Sequence, residues 1–402
     1  MHIRLLALGT RGDVQPYIAL GLGLKQAGYE VSLGTTANFK TFVEEWGLTS
    51  LTSDVDMQAV IAKAGSRRKA KWEVFRVLLE QTLELSQGAD MLIYSGAALF
   101  TAPHAAEKGG FPAIPALVQP AIHPNRSFPS VGMPALDWGG WYNNFTYGFV
   151  DWLTWTFTKS RVNHWRHDKL GLPPANHSAM ASVRQNKVPT LFGFSPSVLP
   201  KPAEWDANVH VTGYWFLPDK TWQPPAELLQ FLDAGAPPVY IGFGSMASNN
   251  AEHTTKIVLD AVKQAGVRAV LASGWGGLSA SALPADVMLI ESAPHEWLFP
   301  RMAAVVHHGG AGTTAAGLRA GVPSVIIPFG GDQPFWGHHV HSLGVGPKPI
   351  PQGKLTAEKL ADALRTAVND PQIRAKSAAL GQKIRAEDGI ANAVRVIQSI
   401  SR

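Results

Sequence analysis

Short apolar runs alternate along the chain with segments in which apolar residues recur at helical spacing. Residues 3–8 (IRLLAL) predict a first strand, residues 18–28 a first helix, and residues 29–36 a second strand. Further apolar runs at 91–96 and 111–118 predict later strands of the same sheet. Buried strands that alternate with helices are typical of a doubly wound α/β sheet.

A second α/β pattern follows a proline-rich stretch at 195–238, which we interpret as an interdomain linker. A chain of 402 residues is also too long for one typical core. We therefore predict two Rossmann-like domains, 1–205 and 206–380, that face each other across a cleft. The last segment, 381–402, is expected to be a helix that crosses back onto the first domain.

Composition narrows the functional classes. Apolar residues make up 46% of the chain and charged residues 16%, as in a globular protein, and the net charge of +5 is mild. The one basic cluster, around Arg67 to Lys71, is interpreted as a solvated or lipid-facing patch, so no nucleic-acid partner is expected. The absence of cysteine excludes disulfides and a cysteine nucleophile. No apolar run approaches the roughly 20 residues of a membrane span.

The most informative stretch is a predicted strand–glycine–helix–strand unit near the end of the second pattern. It comprises a strand at 304–307, a glycine elbow at 309–312, a helix at 313–320 and a strand at 323–328. The first N–H groups of a helix lack internal partners and favour anions. The elbow therefore predicts a phosphate site, although an ordinary tight turn has the same pattern.

Polar residues flank this elbow. His308 precedes it, and Asp332 and Gln333 follow the next strand. Carboxyl ends of parallel strands meet at one edge of a sheet, where ligands bind in such folds. A similar glycine turn at 242–247 carries Ser245, which either bonds a phosphate oxygen or belongs to a simple turn.

The loop at 9–16 (GTRGDVQP) lies between the first strand and the first helix. Asp13 is placed there either to accept a proton from a bound hydroxyl or to cap the helix, and position alone does not separate these roles. The loop is neither a Walker motif nor GxGxxG, so a nicotinamide cofactor has little support. An Asp-x-Asp pair at 54–56 invites a metal interpretation, but it is far from the elbow in sequence and no metal site is predicted.

Aromatic residues concentrate between positions 138 and 165 in numbers that exceed what one helix face usually buries. A partly exposed set would suit a flat, apolar ligand. The run extends to Trp165 and includes Trp138, Trp141, Tyr142, Phe145, Phe149, Trp152, Trp155 and Phe157.

Four blocks in order now resemble a known family. GTRGDVQP, APHEWLFP, HHGGAGTT and GDQPFWG are similar to the signature of family 1 glycosyltransferases with the GT-B fold, and closest to the sterol 3β-glucosyltransferases. The resemblance implies that unit 1–205 binds an acceptor and 206–380 a nucleotide-sugar. It departs from plant relatives at Asp13, where those have a catalytic His, and at Ser292, where they have a Trp that stacks on uracil.

The resemblance implies a role for each matching residue. Asp13 is the general base, and the aromatic run supplies acceptor-binding residues at Trp138, Trp141, Phe145 and Trp152. The donor-binding residues are Thr10, Arg11, Ser245, Ala293, His295, His308, Ala311, Gly312, Thr313, Asp332 and Gln333, of which Ala293 and His295 line the nucleobase and ribose pocket.

The implied reaction is inverting transfer of glucose from UDP-glucose to a sterol or similar lipophilic hydroxyl, without cofactor or metal. The alternative in the same class is a UDP- or dTDP-sugar enzyme that acts on an antibiotic, polyketide or flavonoid aglycone. Rivals from other classes are a non-catalytic nucleotide-sugar-binding protein and a nucleotide-sugar epimerase. A cytoplasmic monomer with peripheral membrane contact is expected.

Overall fold

The computed structural model describes residues 1–53, 68–218, 222–243, 251–272 and 283–401. The chain forms two compact units. Unit 1 comprises Met1–Ser130, Leu136–Leu217 and Asp388–Arg402, and unit 2 comprises Val131–Ala135 and Pro218–Glu387.

Unit 1 contains a parallel seven-stranded sheet in the order β3-β2-β1-β4-β5-β6-β7. Its strands are β1 (His2–Leu6), β2 (Glu30–Thr36), β3 (Thr49–Ser53), β4 (Met91–Tyr94), β5 (Ala113–Leu117), β6 (Thr190–Phe192) and β7 (Val209–Val211). Most residues of the central strands are buried on both faces, which is why these strands read as nearly continuous apolar runs.

Helices cover this sheet. They are α1 (Arg11–Gln26), α2 (Lys40–Glu45), α3 (Arg68–Ser86), α4 (Ala102–Gly109), α5 (Gly140–Trp165) and α6 (Ala179–Gln185), with a π-helical turn at Arg166–Leu170. The core lies between the sheet and α1, where Leu5, Ile18 and Leu20 are buried completely.

Unit 2 contains a parallel five-stranded sheet in the order β10-β9-β8-β11-β12. Its strands are β8 (Val239–Gly242), β9 (Ala269–Ala272), β10 (Val287–Ile290), β11 (Ala304–His307) and β12 (Ser324–Ile326). Its helices are α7 (Ala226–Asp233), α8 (Ala251–Ala265), α9 (His295–Leu298), α10 (Ala311–Ala320), α11 (Gln333–Ser342), α12 (Ala357–Asn369) and α13 (Pro371–Arg385).

Both sheets change winding direction at one place. In unit 1 the strand order reverses between β1 and β4, and in unit 2 between β8 and β11. Ligands of open α/β sheets bind outside the carboxyl ends of the strands at such switch points. β1 leads into the segment that carries Asp13, and β11 leads into the glycine elbow.

The boundary between the units differs from the predicted 205/206. β7 pairs with β6, so residues 209–211 belong to the sheet of unit 1, which ends at Leu217. The proline content of this stretch suggested a linker, but a three-residue edge strand needs little periodicity. The pairing between strands is a long-range contact that local sequence does not display.

The predicted terminal helix is divided. α13 ends at Arg385 in unit 2, and α14 (Gly389–Ile400) begins after Asp388, whose carboxylate accepts a hydrogen bond from the N–H of Ala391 at 2.9 Å. α14 packs on α1 in the core of unit 1, and Asn392 Nδ2 donates to the carbonyl of Thr212 at 2.8 Å.

The side chains of the Asp-x-Asp pair and of the basic cluster noted in the sequence cannot be placed in the fold. The Asp54–Asp56 pair and Arg67 lie outside the described residues, as do the side chains of Arg68, Lys69 and Lys71. Within the described ranges, the helices are too short or too polar to cross a membrane.

Candidate functional site

The elbow of unit 2 joins β11 to α10. The helix begins at Ala311, two positions before the predicted Thr313, and Gly310 is its N-cap. The first intrahelical bond runs from the N–H of Thr314 to the carbonyl of Gly310 at 2.9 Å. The amides of Ala311, Gly312 and Thr313 therefore precede it, and they are the three N–H groups that sequence assigned to a diphosphate. The threonines lie inside the first turn and do not cap the helix.

Gly309 brings the elbow against the loop that carries Asp332 and Gln333. Its φ of +90° lies in the region that favours glycine. A Cβ there would lie 2.6 Å from Ile326 Cγ2 and 3.2 Å from the carbonyl oxygen of Gln333. The predicted phosphate elbow and the predicted sugar-binding pair are therefore neighbours in unit 2.

Hydrogen bonds to neighbouring residues orient the side chains of Gln333 and Asp332. The Oε1 atom of buried Gln333 accepts from the N–H of Phe329 at 2.7 Å and of Gly330 at 3.2 Å. Its amide nitrogen is then the group that can donate to a ligand. Asp332 Oδ2 accepts from the indole N–H of Trp336 at 3.1 Å, which fixes the carboxylate at the start of α11.

His308 lies over the beginning of α10. Its Nε2 atom is 2.5 Å from where a Cβ on Gly310 would stand, so only glycine fits under the ring. Burial lowers the pKa of His308 to about 4. The imidazole is therefore neutral near pH 7, so it offers a hydrogen-bond donor and carries no positive charge. Its Nδ1 atom is buried without a hydrogen-bond partner among the described residues.

His307 is a residue of this site that sequence reasoning missed. It is completely buried, and its Nδ1 atom accepts from the N–H of Gly309 at 3.1 Å. This bond requires the neutral tautomer with the proton on Nε2. Burial, with smaller contributions from His308 and His295, lowers the pKa of His307 well below its usual value and keeps the ring neutral. The available signal was a histidine at the end of a buried strand, two residues before a glycine elbow.

Two further predicted donor residues, Ala293 and His295, follow β10. His295 opens α9, and its ring stacks on Phe299 with centroids 4.3 Å apart and edge-on to Tyr240 at 5.8 Å. Ala293 is half-buried against the cluster that contains Phe299. Ser245 lies outside the described residues.

In unit 1, α1 begins at Arg11, so Asp13 lies inside the first helical turn and not in a loop. Its Oδ2 atom accepts from the backbone N–H and the hydroxyl of Thr10, at 2.8 and 2.9 Å. Asp13 therefore performs the capping function that sequence left open. In the described ranges Oδ1 makes no hydrogen bond, so this oxygen remains available to a proton donor.

Burial raises the pKa of Asp13 above its ordinary value, and the two hydrogen bonds from Thr10 oppose the shift. The raised pKa makes the ionised carboxylate a stronger base than an exposed aspartate. Gly9 has a φ of +137°, and a Cβ there would collide with the Asp13 carboxylate. The carboxylate is therefore packed directly onto the backbone at the carboxyl end of β1.

Arg11, two residues before Asp13, packs over an aromatic ring of α2. Its guanidinium carbon lies 4.8 Å from the ring centroid of Phe42, just after the start of α2. The predicted approach of Arg11 to a donor stays a prediction, as does that of Thr10.

The four predicted acceptor residues lie on or beside α5. They are between 56% and 61% exposed: Trp138, Trp141, Phe145 and Trp152. Tyr142 and Trp165, from the same aromatic run, are buried.

Comparison with known proteins identifies the family to which the chain belongs. The description "Glycosyltransferase family 28 N-terminal domain" matches residues 3–121, and "Erythromycin biosynthesis protein CIII-like, C-terminal domain" matches residues 256–398. A "Sterol 3-beta-glucosyltransferase UGT80B1" of Arabidopsis thaliana is 35% identical over 98% of this chain and 67% of its own length. The chain belongs to the sterol 3-beta-glucosyltransferase family of GT-B proteins. The resemblance inferred from the four sequence blocks is thereby confirmed.

Other family members are longer. A sterol 3-beta-glucosyltransferase of Cryptococcus neoformans var. neoformans serotype D is 38% identical over 99% of this chain, which spans only 27% of that relative. The Arabidopsis thaliana relative UGT80A2 is 35% identical, with 98% of this chain and 65% of its own length covered.

Solved structures confirm the GT-B fold. The glycosyltransferase of kitacinnamycin aligns over 99% of this chain and 98% of its own, with a TM-score of 0.75 and 21% identity. CalG4, a calicheamicin glycosyltransferase, covers 99% and 97% with a TM-score of 0.72 and 17% identity. VinC in complex with DTDP covers 99% of both chains, with a TM-score of 0.62 and 19% identity.

The bond from Gly309 to His307 gives a first prediction. His307→Leu leaves a buried N–H without an acceptor, which should lower the free energy of unfolding of unit 2 by about 1–3 kcal/mol. His307→Asn retains a side-chain acceptor and should recover part of that loss. Urea unfolding of the purified variants, with UDP binding measured in parallel, checks both effects.

His338→Leu is the matched control, because His338 is exposed on α11. It should change stability by no more than about 0.5 kcal/mol. A His307→Leu protein as stable as wild type would show that this bond does not hold the elbow.

Proposed function

We propose that the protein transfers glucose from UDP-glucose to the hydroxyl of a sterol or similar lipophilic acceptor, with inversion to a β-glucoside. The observation that carries the proposal is the set of three amides at the start of α10, which lie at the switch point of the unit 2 sheet. The names of the relatives that match over nearly the whole chain support glucose as the sugar and a sterol as the acceptor.

The donor diphosphate binds at the N-terminus of α10. Its charge is stabilised by the amides of Ala311, Gly312 and Thr313 and by the positive end of the helix dipole. Neutral His308 contributes a hydrogen bond. The amide of Gln333 and the carboxylate of Asp332 bind sugar hydroxyls, because Gly309 packs against this loop. Stabilisation of the leaving diphosphate then requires neither a metal ion nor a cofactor.

Asp13 accepts the proton of the acceptor hydroxyl through Oδ1, while Oδ2 stays bound to Thr10. As that proton leaves, the acceptor oxygen forms a bond to the anomeric carbon and the bond from that carbon to the diphosphate breaks. One in-line displacement inverts the configuration. An aspartate with an ordinary pKa is a weak base, so the burial that raises the pKa of Asp13 favours this role.

One residue bears on the donor base. Ser292 is exposed and offers no aromatic face to a pyrimidine, so this position does not select uracil over thymine. A dTDP-sugar with an antibiotic, polyketide or flavonoid aglycone is the second candidate pair. We also propose that the protein acts as a cytoplasmic monomer in peripheral contact with a membrane.

Turnover against a panel of donors and acceptors tests the function. UDP-glucose with cholesterol or a plant sterol should give a β-glucoside, and UDP-glucose with a flavonoid should react much more slowly. Product configuration is read from the anomeric proton coupling. Faster turnover of a dTDP-sugar or of the flavonoid would favour the second candidate, and absence of transfer in all combinations would contradict both.

Replacement of the base tests the mechanism. Asp13→Asn keeps the shape and an oxygen for the bonds from Thr10, but it removes the basic group. Transfer should fall by at least about 100-fold, with UDP affinity nearly unchanged. In wild type, turnover should fall as the pH drops through the raised pKa of Asp13, that is, above the ordinary value of about 3.9.

Asp286→Asn serves as the control, because Asp286 is an exposed carboxylate just before β10 in unit 2. It should leave turnover and its pH profile unchanged. Near-normal turnover in Asp13→Asn would remove Asp13 from the mechanism.

A further inference from the structure

An exposed row of rings follows one side of α5, and we call it the aromatic stripe. It consists of Trp138, Trp141, Phe145, Phe149 and Trp152. Trp141, Phe145, Phe149 and Trp152 lie on one face of α5 because they are spaced four, four and three residues apart, and Trp138 stands just before the helix. Four of them are more than half exposed, and Phe149 is partly buried between its neighbours. Isolated exposed aromatics are common, but a continuous row of this size marks an interaction surface.

The rings of the stripe support one another. Trp138 stacks on Trp141 with centroids 6.3 Å apart and planes at 10°. Phe149 contacts Phe145 at 5.9 Å and Trp152 at 6.1 Å. The stripe is thus ordered by ring–ring contacts before any partner binds, which lowers the entropy cost of docking.

The opposite face of α5 fixes its rotation. Asn125 Nδ2 donates to the hydroxyl of Tyr147 at 2.8 Å, and the N–H of Ser130 donates to Thr146 Oγ1 at 2.8 Å. Asp151, also buried, forms an ion pair with Arg184. Turning the helix to bury the stripe would break these buried polar contacts, so the rings stay at the surface.

The charge around the stripe is basic. Within α5, Asp151 is the only carboxylate, and its pairing with Arg184 neutralises it. Two exposed basic residues lie beside the stripe. Arg126 Cβ is 2.8 Å from where a Cβ on Gly140 would stand, at the start of α5, and Lys159 follows Trp152 by two helical turns on the same side. The exposed carboxylate next to the stripe in sequence is Asp137. Indole rings favour the boundary between lipid headgroups and acyl chains, and basic residues beside them are attracted to anionic lipids.

We propose that the aromatic stripe docks onto an anionic phospholipid bilayer, with Trp141 and Trp152 inserted at the level of the headgroups. A second copy of the chain fits less well, because a two-fold contact through the stripe would bring the same basic residues together. The purpose of docking rests on the proposed function, since a lipophilic acceptor resides in membranes. Docking itself requires neither donor nor acceptor.

Sedimentation with sucrose-loaded vesicles tests the docking. The 402-residue chain is mixed with phosphatidylcholine vesicles, or with vesicles that also contain phosphatidylserine, in the absence of any sugar donor or sterol. We expect binding to the anionic vesicles and weaker binding to the neutral ones. Because the assay contains no substrates, vesicle binding can be interpreted even if the protein does not transfer glucose.

Substitutions in the stripe and beside it test whether the stripe is responsible for vesicle binding. Trp141→Gln with Trp152→Gln should weaken partitioning at least roughly tenfold, because two large apolar surfaces are lost. Arg126→Glu with Lys159→Glu should remove the preference for anionic lipid. The control is Leu229→Gln, which replaces an apolar residue of unit 2 that is 40% exposed and should bind as wild type.

A measurement on wild type guards against variants that fail to fold. Acyl chains brominated near the headgroup should quench tryptophan fluorescence when the protein is bound. The proposal is overturned if wild type binds neither vesicle or the stripe variant binds as well as wild type. It is equally overturned if light scattering shows a wild-type dimer that the stripe variant converts to a monomer.

Discussion

The packing of Gly309 against the loop after β12 is the constraint on which the candidate donor site depends. With a φ of +90° and no side chain, this residue lets the backbone turn between Ile326 and Gln333. The turn leaves the first amides of α10 without internal partners and places them beside Asp332 and Gln333. His307 stabilises the same turn, because its Nδ1 atom accepts a hydrogen bond from the N–H of Gly309. The candidate anion site is therefore made mostly of backbone, and burial keeps the neighbouring His307 and His308 neutral.

In unit 1 the equivalent position, after the strand at the switch point of the sheet, carries a carboxylate, that of Asp13. A carboxylate at the start of a helix is usually stabilised as an anion, because the helix dipole and cap donors favour its charge. Asp13 has such donors from Thr10, yet burial against Gly9 outweighs them and raises its pKa. One oxygen is fixed by capping and the other remains available. The helix cap and the proposed base are thus two functions of one side chain.

The sequence predicted the features that local pattern controls. The strand before the elbow is found at the expected residues, Ala304 to His307, because a buried apolar run ends there. The start of α10 was placed two residues late because the glycines at 309–312 were all assigned to the elbow, whereas Gly310 is already the N-cap of the helix. His307 was missed because only the packed fold shows which group its Nδ1 atom contacts.

Features that depend on contacts distant in sequence were not predictable. The pairing of β7 with β6 moved the boundary of unit 1 to Leu217, and the position of Arg11 over Phe42 joins α1 to the start of α2. The exposed aromatics of α5 were recognised as unusual from their number. Their division into a buried and an exposed face followed only from the partners Asn125, Ser130 and Arg184 on the inner side.

The proposed donor site requires that a diphosphate bind to the backbone amides at the start of α10. Amide resonances of isotope-labelled protein, followed by NMR during titration with UDP and separately with uridine, test it most directly. UDP should shift the signals of Ala311, Gly312 and Thr313 strongly, and uridine should leave them nearly unchanged. Saturable UDP binding with these three signals unmoved would contradict the account.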